Sequence, residues 1–266
     1  MQGKNYENAD LTTARLCLYG TRQFTRMHAT PRVIFFDAAD TLFHVKGSVG
    51  EVYLTFARKY GVTIGRETIQ QAFAKAFADA PPPVFAVSDP QEIKSCERLW
   101  WFDVVHHVFY RVGMFKGFDD YFDEVFAYFS RPDSWELYPD TLSTLTALEA
   151  HGLDLGIVSN FDSRLYEILI GLGIDRFFES ITISSFAGAA KPSSRIFQRA
   201  LQKHGVPAKE ALHVGNSLGD DAKAAVAAGL GGVLLDRTGN SVSSPDLITI
   251  ANLSDLLTLL GEPQPS

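Results

Sequence analysis

Short apolar runs alternate with amphipathic stretches over the second half of the chain. Continuous apolar runs are typical of strands buried on both faces, whereas apolar residues at helical spacing predict helices that cover a sheet. On this basis, strands are predicted at 32–36, 153–158, 180–184, 211–215, 232–235 and 247–250, and helices at 140–151, 163–172, 193–204, 220–228 and 253–260. Strands that alternate with helices in this way indicate βαβ units and a parallel sheet.

The stretch from 47 to 131 follows a different pattern. It predicts four helices and no strand, with the helices at 49–60, 67–79, 91–112 and 119–130. The run Pro81–Pro83 breaks the pattern between the second and third helices. The strand at 32–36 cannot satisfy its backbone hydrogen bonds alone and must pair with the later strands. The helical block between them is therefore an insertion. We therefore predict a core formed by 31–46 and 132–266, and a helical subdomain at 47–131.

The first 30 residues fit neither pattern. Their apolar run, Leu16–Tyr19, is too short for the hydrophobic segment of a secretion signal. Several arginines and threonines are typical of an organellar transit peptide, whereas Glu7 and Asp10 count against one. We expect a disordered leader, or a start assigned too early with Met27 as the true first residue. The predicted location is the cytoplasm, with organellar targeting left open.

The composition restricts the classes of partner. The chain has 266 residues, of which 46% are hydrophobic and 21% charged, values that are ordinary for a globular enzyme. A net charge of -7 argues against nucleic acid or an anionic membrane, because both bind basic surfaces. No apolar run approaches the roughly 18–20 residues of a membrane span. We expect no nucleic-acid or membrane partner, and a monomer or homodimer.

Polar side chains follow four of the predicted strands. Ligands of parallel sheets bind outside the carboxyl ends of the strands, so these side chains mark a candidate site. The residues are Asp37, Asp40 and Thr41 after the first strand, then Ser159 and Asn160, then Lys191, and finally Asn216 and Asp221. Carboxylate oxygens suit Mg²⁺, while serine, asparagine and lysine donate hydrogen bonds to phosphoryl oxygens. The set is therefore suited to holding a phosphate against a divalent cation.

The order of these residues resembles the four motifs of the haloacid dehalogenase (HAD) superfamily. The matching segments are Asp37 to Thr41, Ser159-Asn160, Lys191-Pro192 and Gly215 to Asp221, and the resemblance covers about residues 31–260. It implies a Rossmann-like parallel-sheet core. The helical insertion at 47–131 resembles the C1 cap of that superfamily.

The resemblance also implies a role for each residue. Asp37 is expected to be a nucleophile that forms an aspartyl-phosphate. The phosphate is expected to bind Thr41, Ser159, Asn160 and Lys191, and Lys191 also balances the charge of Asp37. The implied Mg²⁺ ligands are Asp37, the backbone carbonyl of Ala39, Asn216 and Asp221. Each residue also has a structural reading, such as a helix cap for Ser159 or a solvated surface charge for Lys191.

One departure from the motifs concerns the general acid. Phosphatases of the superfamily use Asp-x-Asp, and the second aspartate of that motif falls on Ala39 here. Asp40 stands one residue later, where superfamily members commonly have glycine. A general acid must approach the leaving oxygen to about 3 Å, so a shift of one residue matters. One branch of the superfamily shares the Asp-x-x-Asp spacing, which keeps Asp40 as the candidate acid.

A second departure concerns the metal. The fourth motif usually reads Gly-Asp, where this chain has Gly215-Asn216. An amide oxygen can still bind Mg²⁺, but one negative charge is lost, and we expect weaker binding. Asp220 could compensate, although we expect it to cap the helix at 220–228.

Three functions remain open on the sequence. The intact Asp37, Ser159 and Lys191 favour a Mg²⁺-dependent phosphatase of a small phosphorylated metabolite, with weakened activity. Ala39 and Asn216 favour a catalytically degraded member that binds a phosphorylated ligand or a protein. A 2-haloacid dehalogenase needs neither a second acid nor Mg²⁺, but those enzymes usually have tyrosine where this chain has Phe197.

Overall fold

The computed structural model describes residues 31–239 and 247–261, and within them the chain folds around a parallel sheet. The strands are β1 (Val33–Phe36), β2 (Phe43–Val45), β3 (Trp135–Leu137), β4 (Asp154–Ser159), β5 (Ser180–Ile183), β6 (Ala211–Gly215), β7 (Gly231–Leu235) and β8 (Ile248–Ile250). Six of them form one sheet in the order β5-β4-β1-β6-β7-β8, all parallel, and β2 and β3 lie outside it. The predicted α/β parallel sheet is confirmed.

Strand β1 is central, and this explains its continuous apolar sequence. Its four residues are fully buried, and their side chains alternate between the two faces. Ile34 and Phe36 join one apolar cluster, while Val33 and Phe35 join the other. Neighbouring β4 and β6 run parallel to β1, so their carboxyl ends lie beside its own.

Helices cover both faces of the sheet. The core helices are α5 (Thr141–Ala150), α6 (Arg164–Gly171), α7 (Ser184–Ala187), α8 (Ser194–His204), α9 (Ala224–Ala227) and α10 (Asp255–Leu259). The helix predicted at 220–228 instead begins as a π-helical turn, Leu218–Lys223. Ser217 caps that turn by accepting a hydrogen bond from the backbone N–H of Asp220. The expectation that Asp220 is the cap is therefore wrong, because Asp220 lies inside the first turn.

Four helices occupy the stretch between β2 and β3. They are α1 (Val49–Ala57), α2 (Arg66–Asp79), α3 (Pro90–Val112) and α4 (Phe118–Phe129), and we call them the cap. The predicted helix at 49–60 ends at Ala57 and continues as one 3₁₀ turn, which Gly61 terminates with a φ of 80°. Glycine adopts this positive φ without strain, whereas most other residues do not, and glycine is common at such helix C-caps. The limits of 47–131 for the helical subdomain remain a prediction.

Strands β2 and β3 were not predicted from the sequence. They pair antiparallel where the chain leaves the core and returns to it, and the N–H of Lys46 donates to the carbonyl of Ser134 at 3.0 Å. Each strand has three residues, which is too short for a period to show. In the part of the chain that the structure describes, none of the helices has the length and apolar character needed to cross a bilayer. The predicted leader, residues 1–30, lies outside the described residues.

Candidate active site

Asp37 lies at the carboxyl end of β1, where the sheet itself positions it. Its backbone N–H donates to the carbonyl of Val214 at 2.9 Å, which extends the β1–β6 ladder by one residue. One carboxylate oxygen, Oδ1, accepts a hydrogen bond from Lys191 Nζ at 2.7 Å. No hydrogen bond reaches Oδ2 from any described residue. Because the side chain is 13% exposed, that oxygen can meet a ligand.

Lys191 is the centre of the site and is not a surface residue. It is 4% exposed, and its Nζ donates to Asp37 at 2.7 Å and to Asp221 at 2.5 Å. Burial opposes its charge, but the two carboxylates outweigh that effect and raise the pKa of Lys191. The ammonium group therefore holds two strand ends together while it remains charged.

Asp221 is committed to holding this lysine. It is 1% exposed; its Oδ1 accepts from Lys191 and from His213 Nε2 at 2.9 Å, and its Oδ2 accepts from the N–H of Ser217 at 2.9 Å. Burial alone would raise its pKa, but Lys191 and His213 lower it below the usual value. A Cβ on Gly215 would lie 2.2 Å from the Asp221 carboxyl carbon, so this close approach requires glycine.

His213 was not predicted from the sequence. It is fully buried within β6, and burial lowers its pKa and keeps it neutral despite the neighbouring carboxylate. Since ionised Asp221 only accepts hydrogen bonds, Nε2 carries the proton and Nδ1 is unprotonated. Nδ1 is buried without a hydrogen-bond partner among the described residues. A lone histidine in an apolar run gives no sequence signal, because core histidines have the same pattern.

Ser159 and Asn160 end the neighbouring strand β4. The Ser159 side chain is buried at the end of the strand and has no hydrogen bond with the described residues. Asn160 is bonded twice to the backbone of Lys191: its Nδ2 donates to the carbonyl at 2.9 Å, and its Oδ1 accepts from the N–H at 2.8 Å. The side chain of Asn160 thus positions Lys191, while the hydroxyl of Ser159 is available for a ligand.

Thr41 and Asn216 connect the loops after β1 and β6. Thr41 is fully buried, and its hydroxyl donates to Asn216 Oδ1 at 3.3 Å. Arg237 donates to the carbonyl of Thr41 at 2.9 Å and forms a bidentate pair with Asp140 at 3.0 and 3.1 Å. Thr41 therefore supports the loop that carries Asp37, and its predicted contact with phosphate stays a prediction.

Asp40 has an unusual backbone conformation. Its φ is 59°, the left-handed region, where aspartate is tolerated better than most residues and glycine best. This explains why a glycine is common at the position in the superfamily. Although the side chain is partly exposed, the surrounding protein and the charge of Asp37 raise the pKa of Asp40, while His44 opposes the shift. Asp40 thus retains a proton to higher pH than a free aspartate.

The predicted magnesium ligands fit the ion only in part. Asp37 Oδ2 is an available oxygen, and the exposed amide oxygen of Asn216 accepts one hydrogen bond, from Thr41 at 3.3 Å, which leaves its second lone pair for an ion such as Mg²⁺. Asp221 is buried and both of its oxygens accept hydrogen bonds, so it is the least accessible of the predicted ligands, and its role at the metal stays a prediction. No cluster of three or more His, Cys, Asp or Glu side chains suited to a metal occurs among residues 31–239 and 247–261. An ion here would keep several water ligands, with the Ala39 carbonyl as a further candidate.

A cleft of about 520 Å³ opens beside the site. Its walls are the cap residues Pro82 and Val84 and the core segment Ala190–Ser193. Lys191 belongs to this wall, whereas Asp37 does not, so the cleft is a space next to the charged centre and not the phosphate site itself.

Comparison with known proteins agrees with this geometry. The family model for haloacid dehalogenase-like hydrolases matches residues 31–229. The chain belongs to the haloacid dehalogenase-like hydrolase family. It is 33% identical over 223 residues to haloacid dehalogenase-like hydrolase domain-containing protein 3 of Danio rerio, covering 83% of this chain and 91% of that protein. The recognition from four motifs is therefore confirmed.

Two further proteins are similar to this chain. Glyceraldehyde 3-phosphate phosphatase of Methanothermobacter thermautotrophicus is 37% identical over 131 residues, 46% of this chain and 58% of that protein. The crystal structure of a HAD phosphatase from Thermococcus onnurineus aligns with a TM-score of 0.59 at 23% identity, covering 89% of this chain and all of that one. At this identity the structural match shows the fold alone, and it confirms the Rossmann-like HAD core.

Proposed function

We propose that this HAD hydrolase is a Mg²⁺-dependent phosphatase of a small phosphorylated metabolite, acting through an aspartyl-phosphate on Asp37 with modest activity. The observation that carries the proposal is the position of Lys191, whose Nζ bridges Asp37 and Asp221 inside the protein. A buried ammonium group beside a half-buried carboxylate lowers the repulsion between that carboxylate and an incoming phosphate. A simple structural ion pair would not need one oxygen of Asp37 open to a ligand.

The first step forms the covalent intermediate. Asp37 Oδ2 attacks the phosphorus, a new P–O bond forms to the carboxylate, and the ester P–O bond breaks with its electrons on the leaving oxygen. Lys191 and the hydroxyl of Ser159 stabilise the charge on the phosphoryl oxygens. In the second step, water attacks the same phosphorus, the bond to Asp37 breaks, and inorganic phosphate leaves.

Asp40 is our candidate for the proton transfers. The pKa of Asp40 is raised by its surroundings and by the charge of Asp37, which favours the protonated form that a leaving alkoxide requires. Ala39, at the position of the usual acid, contributes no side-chain proton. Loss of a well-placed acid costs about 10²–10⁴-fold, so we expect slow hydrolysis of alkyl phosphates and faster hydrolysis of aryl phosphates.

Magnesium would be held by Asp37 and Asn216, with the carbonyl of Ala39 as a third ligand. When bound, the ion would neutralise charge on the phosphate, so that an anionic carboxylate can approach it. Because Asn216 provides no negative charge, we expect weak affinity.

Hydrolysis of p-nitrophenyl phosphate tests the proposal. The wild-type protein should release nitrophenol faster with Mg²⁺ than with a chelator, and Asp37→Asn should reduce the rate to background. Ala39→Asp, which restores the usual acid, should raise the rate on alkyl phosphates by about 10–10³-fold. A wild type no faster than Asp37→Asn, with or without Mg²⁺, would sink the phosphatase proposal.

One other function has an observation in its favour. Ala39 and Asn216 remove a general acid and a metal charge, as expected for a member that binds a phosphorylated ligand or a protein without turnover. Inorganic phosphate that binds tightly to a wild type without activity would support it. A 2-haloacid dehalogenase would instead release halide from a short 2-haloacid without Mg²⁺.

A further inference from the structure

Residues Ser159–Arg164, which we call the substrate loop, are held from two sides. On the core side, the Asn160 amide is bonded to the backbone of Lys191 at 2.9 and 2.8 Å. On the other side, the cap contributes side chains from helix α3 that hydrogen-bond to the loop. The second attachment uses polar groups that the reaction itself does not need.

Two α3 residues make these contacts. Trp101 Nε1 donates to Asp162 Oδ2 at 2.6 Å. Glu97, one helical turn earlier, accepts from the N–H of Ser163 at 2.9 Å and from its hydroxyl at 2.5 Å. Glu97 and Asp162 are each 3% exposed, so these hydrogen bonds are formed away from water.

A cation completes the arrangement on the loop. Arg164 forms a bidentate pair with Asp162 at 2.8 and 2.5 Å. Its guanidinium lies 5.1 Å from the ring centroid of Trp101 and 4.5 Å from that of Phe126, both on the cap. Burial alone would raise the pKa of Asp162, but Arg164 and the indole N–H hold it below its usual value.

We propose that Glu97 and Trp101 are positioning residues through which the cap controls the substrate loop and, with it, the Ser159 hydroxyl in the phosphate site. Asp162 lies three residues beyond Ser159 on a short turn, so the loop cannot shift at one point without shifting at the other. When the cap lifts, Asp162 and Ser163 lose three hydrogen bonds, and the loop keeps only its contacts with the core. These are the Asn160 amide on Lys191, the Phe161 carbonyl that accepts from the Ser184 hydroxyl at 3.3 Å, and the pairing of Ser159 with β5. The cap then sets the position of a phosphate ligand without touching the phosphate.

Helix α3 also contains a suitable control residue for each variant. Trp100 is the neighbour of Trp101 and also donates its indole N–H, but to the carbonyl of Pro81 within the cap at 2.8 Å. Trp101→Phe and Trp100→Phe thus each remove one indole N–H and keep an aromatic ring. Glu97→Ala is paired with Glu92→Ala, an exposed glutamate on the same helix. Glu97→Gln can still make both contacts with Ser163 and should act as a rescue.

Hydrogen exchange of the peptide containing residues 159–164 measures the hold on the loop directly. Trp101→Phe and Glu97→Ala should speed its exchange by roughly 5- to 30-fold, the effect of losing one or two buried hydrogen bonds to charged groups. Trp100→Phe, Glu92→Ala and Glu97→Gln should stay within about 2-fold of wild type. Equal exchange in Trp101→Phe and Trp100→Phe would overturn the proposal, and circular dichroism would show that each variant is folded.

A binding measurement then connects the loop to the site. Titration with inorganic phosphate should give a dissociation constant about 3- to 10-fold higher for Trp101→Phe and Glu97→Ala than for their controls. Only this part rests on the proposed function, because the exchange experiment needs neither a ligand nor turnover. Faster exchange with unchanged phosphate affinity would overturn the connection to Ser159. Absence of phosphate binding in the wild type would count against the proposed function and leave the exchange result standing.

Discussion

The strand-end site and the interior of the cap are stabilised by opposite kinds of contact. In the site, Lys191, Asp37 and Asp221 form a buried chain of charged hydrogen bonds. In the cap, aromatic rings pack edge to face, such as Phe109 against Tyr121 with centroids 5.0 Å apart. Ion pairs within the cap lie at its surface and are solvated.

This difference predicts which region tolerates amino-acid substitutions. A buried ion needs its particular partner, and removing one partner leaves an uncompensated charge in a poorly solvated place. Packed rings need only the right volume and an apolar surface, so related side chains can replace each other at moderate cost. We therefore expect single substitutions to act through charge in the core site and through volume in the cap.

The largest effect should follow from Lys191→Met. The variant leaves Asp37 and Asp221 without their shared cation, and the free energy of unfolding should fall by about 3–5 kcal/mol. Urea unfolding followed by circular dichroism measures this change. Lys209→Met, an exposed lysine on the same domain, is the control and should unfold as the wild type does. If Lys191→Met were as stable as the wild type, the buried charges would not stabilise the site, and the contrast with the cap would be wrong.

A smaller loss is expected from Phe109→Leu in the cap. Phe109 is fully buried against Tyr53, Phe115 and Tyr121, and leucine fills most of its space without a polar atom. The free energy of unfolding should fall by roughly 1–2 kcal/mol in the same urea experiment. Tyr110→Leu, at a residue that is 74% exposed, should leave the curve unchanged. A loss larger than that of Lys191→Met would reverse the comparison.

The pH dependence of stability should reside in the core site. The pKa of Asp221 is lowered in the folded protein, so its contribution is present above the unfolded-state pKa and is lost as the pH falls through the folded one. The stability gap between wild type and Asp221→Asn should therefore shrink by about 1 kcal/mol between pH 7 and pH 3. Urea curves at several pH values measure it, and a constant gap would show that Asp221 is not held ionised by Lys191.

The smallest effect is expected at a cap ion pair. Lys75 and Asp79 are 2.7 Å apart with side chains 62% and 44% exposed, and solvent and salt screen such pairs. Lys75→Gln should unfold at the same temperature as the wild type at both low and high salt. A clear salt-dependent loss would show that charge also matters in the cap.

Asp37, Ser159 and Asn216 could be predicted from the sequence because each ends or directly follows a buried strand. A run such as Val33–Phe36 predicts its own strand, and the parallel connection then brings Asp37, Ser159 and Asn216 to one edge of the sheet. The limits of prediction appear where the local signal is short or ambiguous. Strands β2 and β3 have three residues each, and His213 has the pattern of any core residue.

By itself, the sequence determined the parallel α/β core, the helical insertion, the HAD family and the candidate nucleophile, because these depend on local periodicity and on motifs of neighbouring residues. Only the tertiary structure decided that Asp221 holds Lys191 and is itself bonded to His213, and that Trp101 of the cap holds Asp162, 61 residues further along the chain. Hydrogen bonds between distant residues depend on how helices and strands pack, and no spacing along the chain encodes their distances and angles.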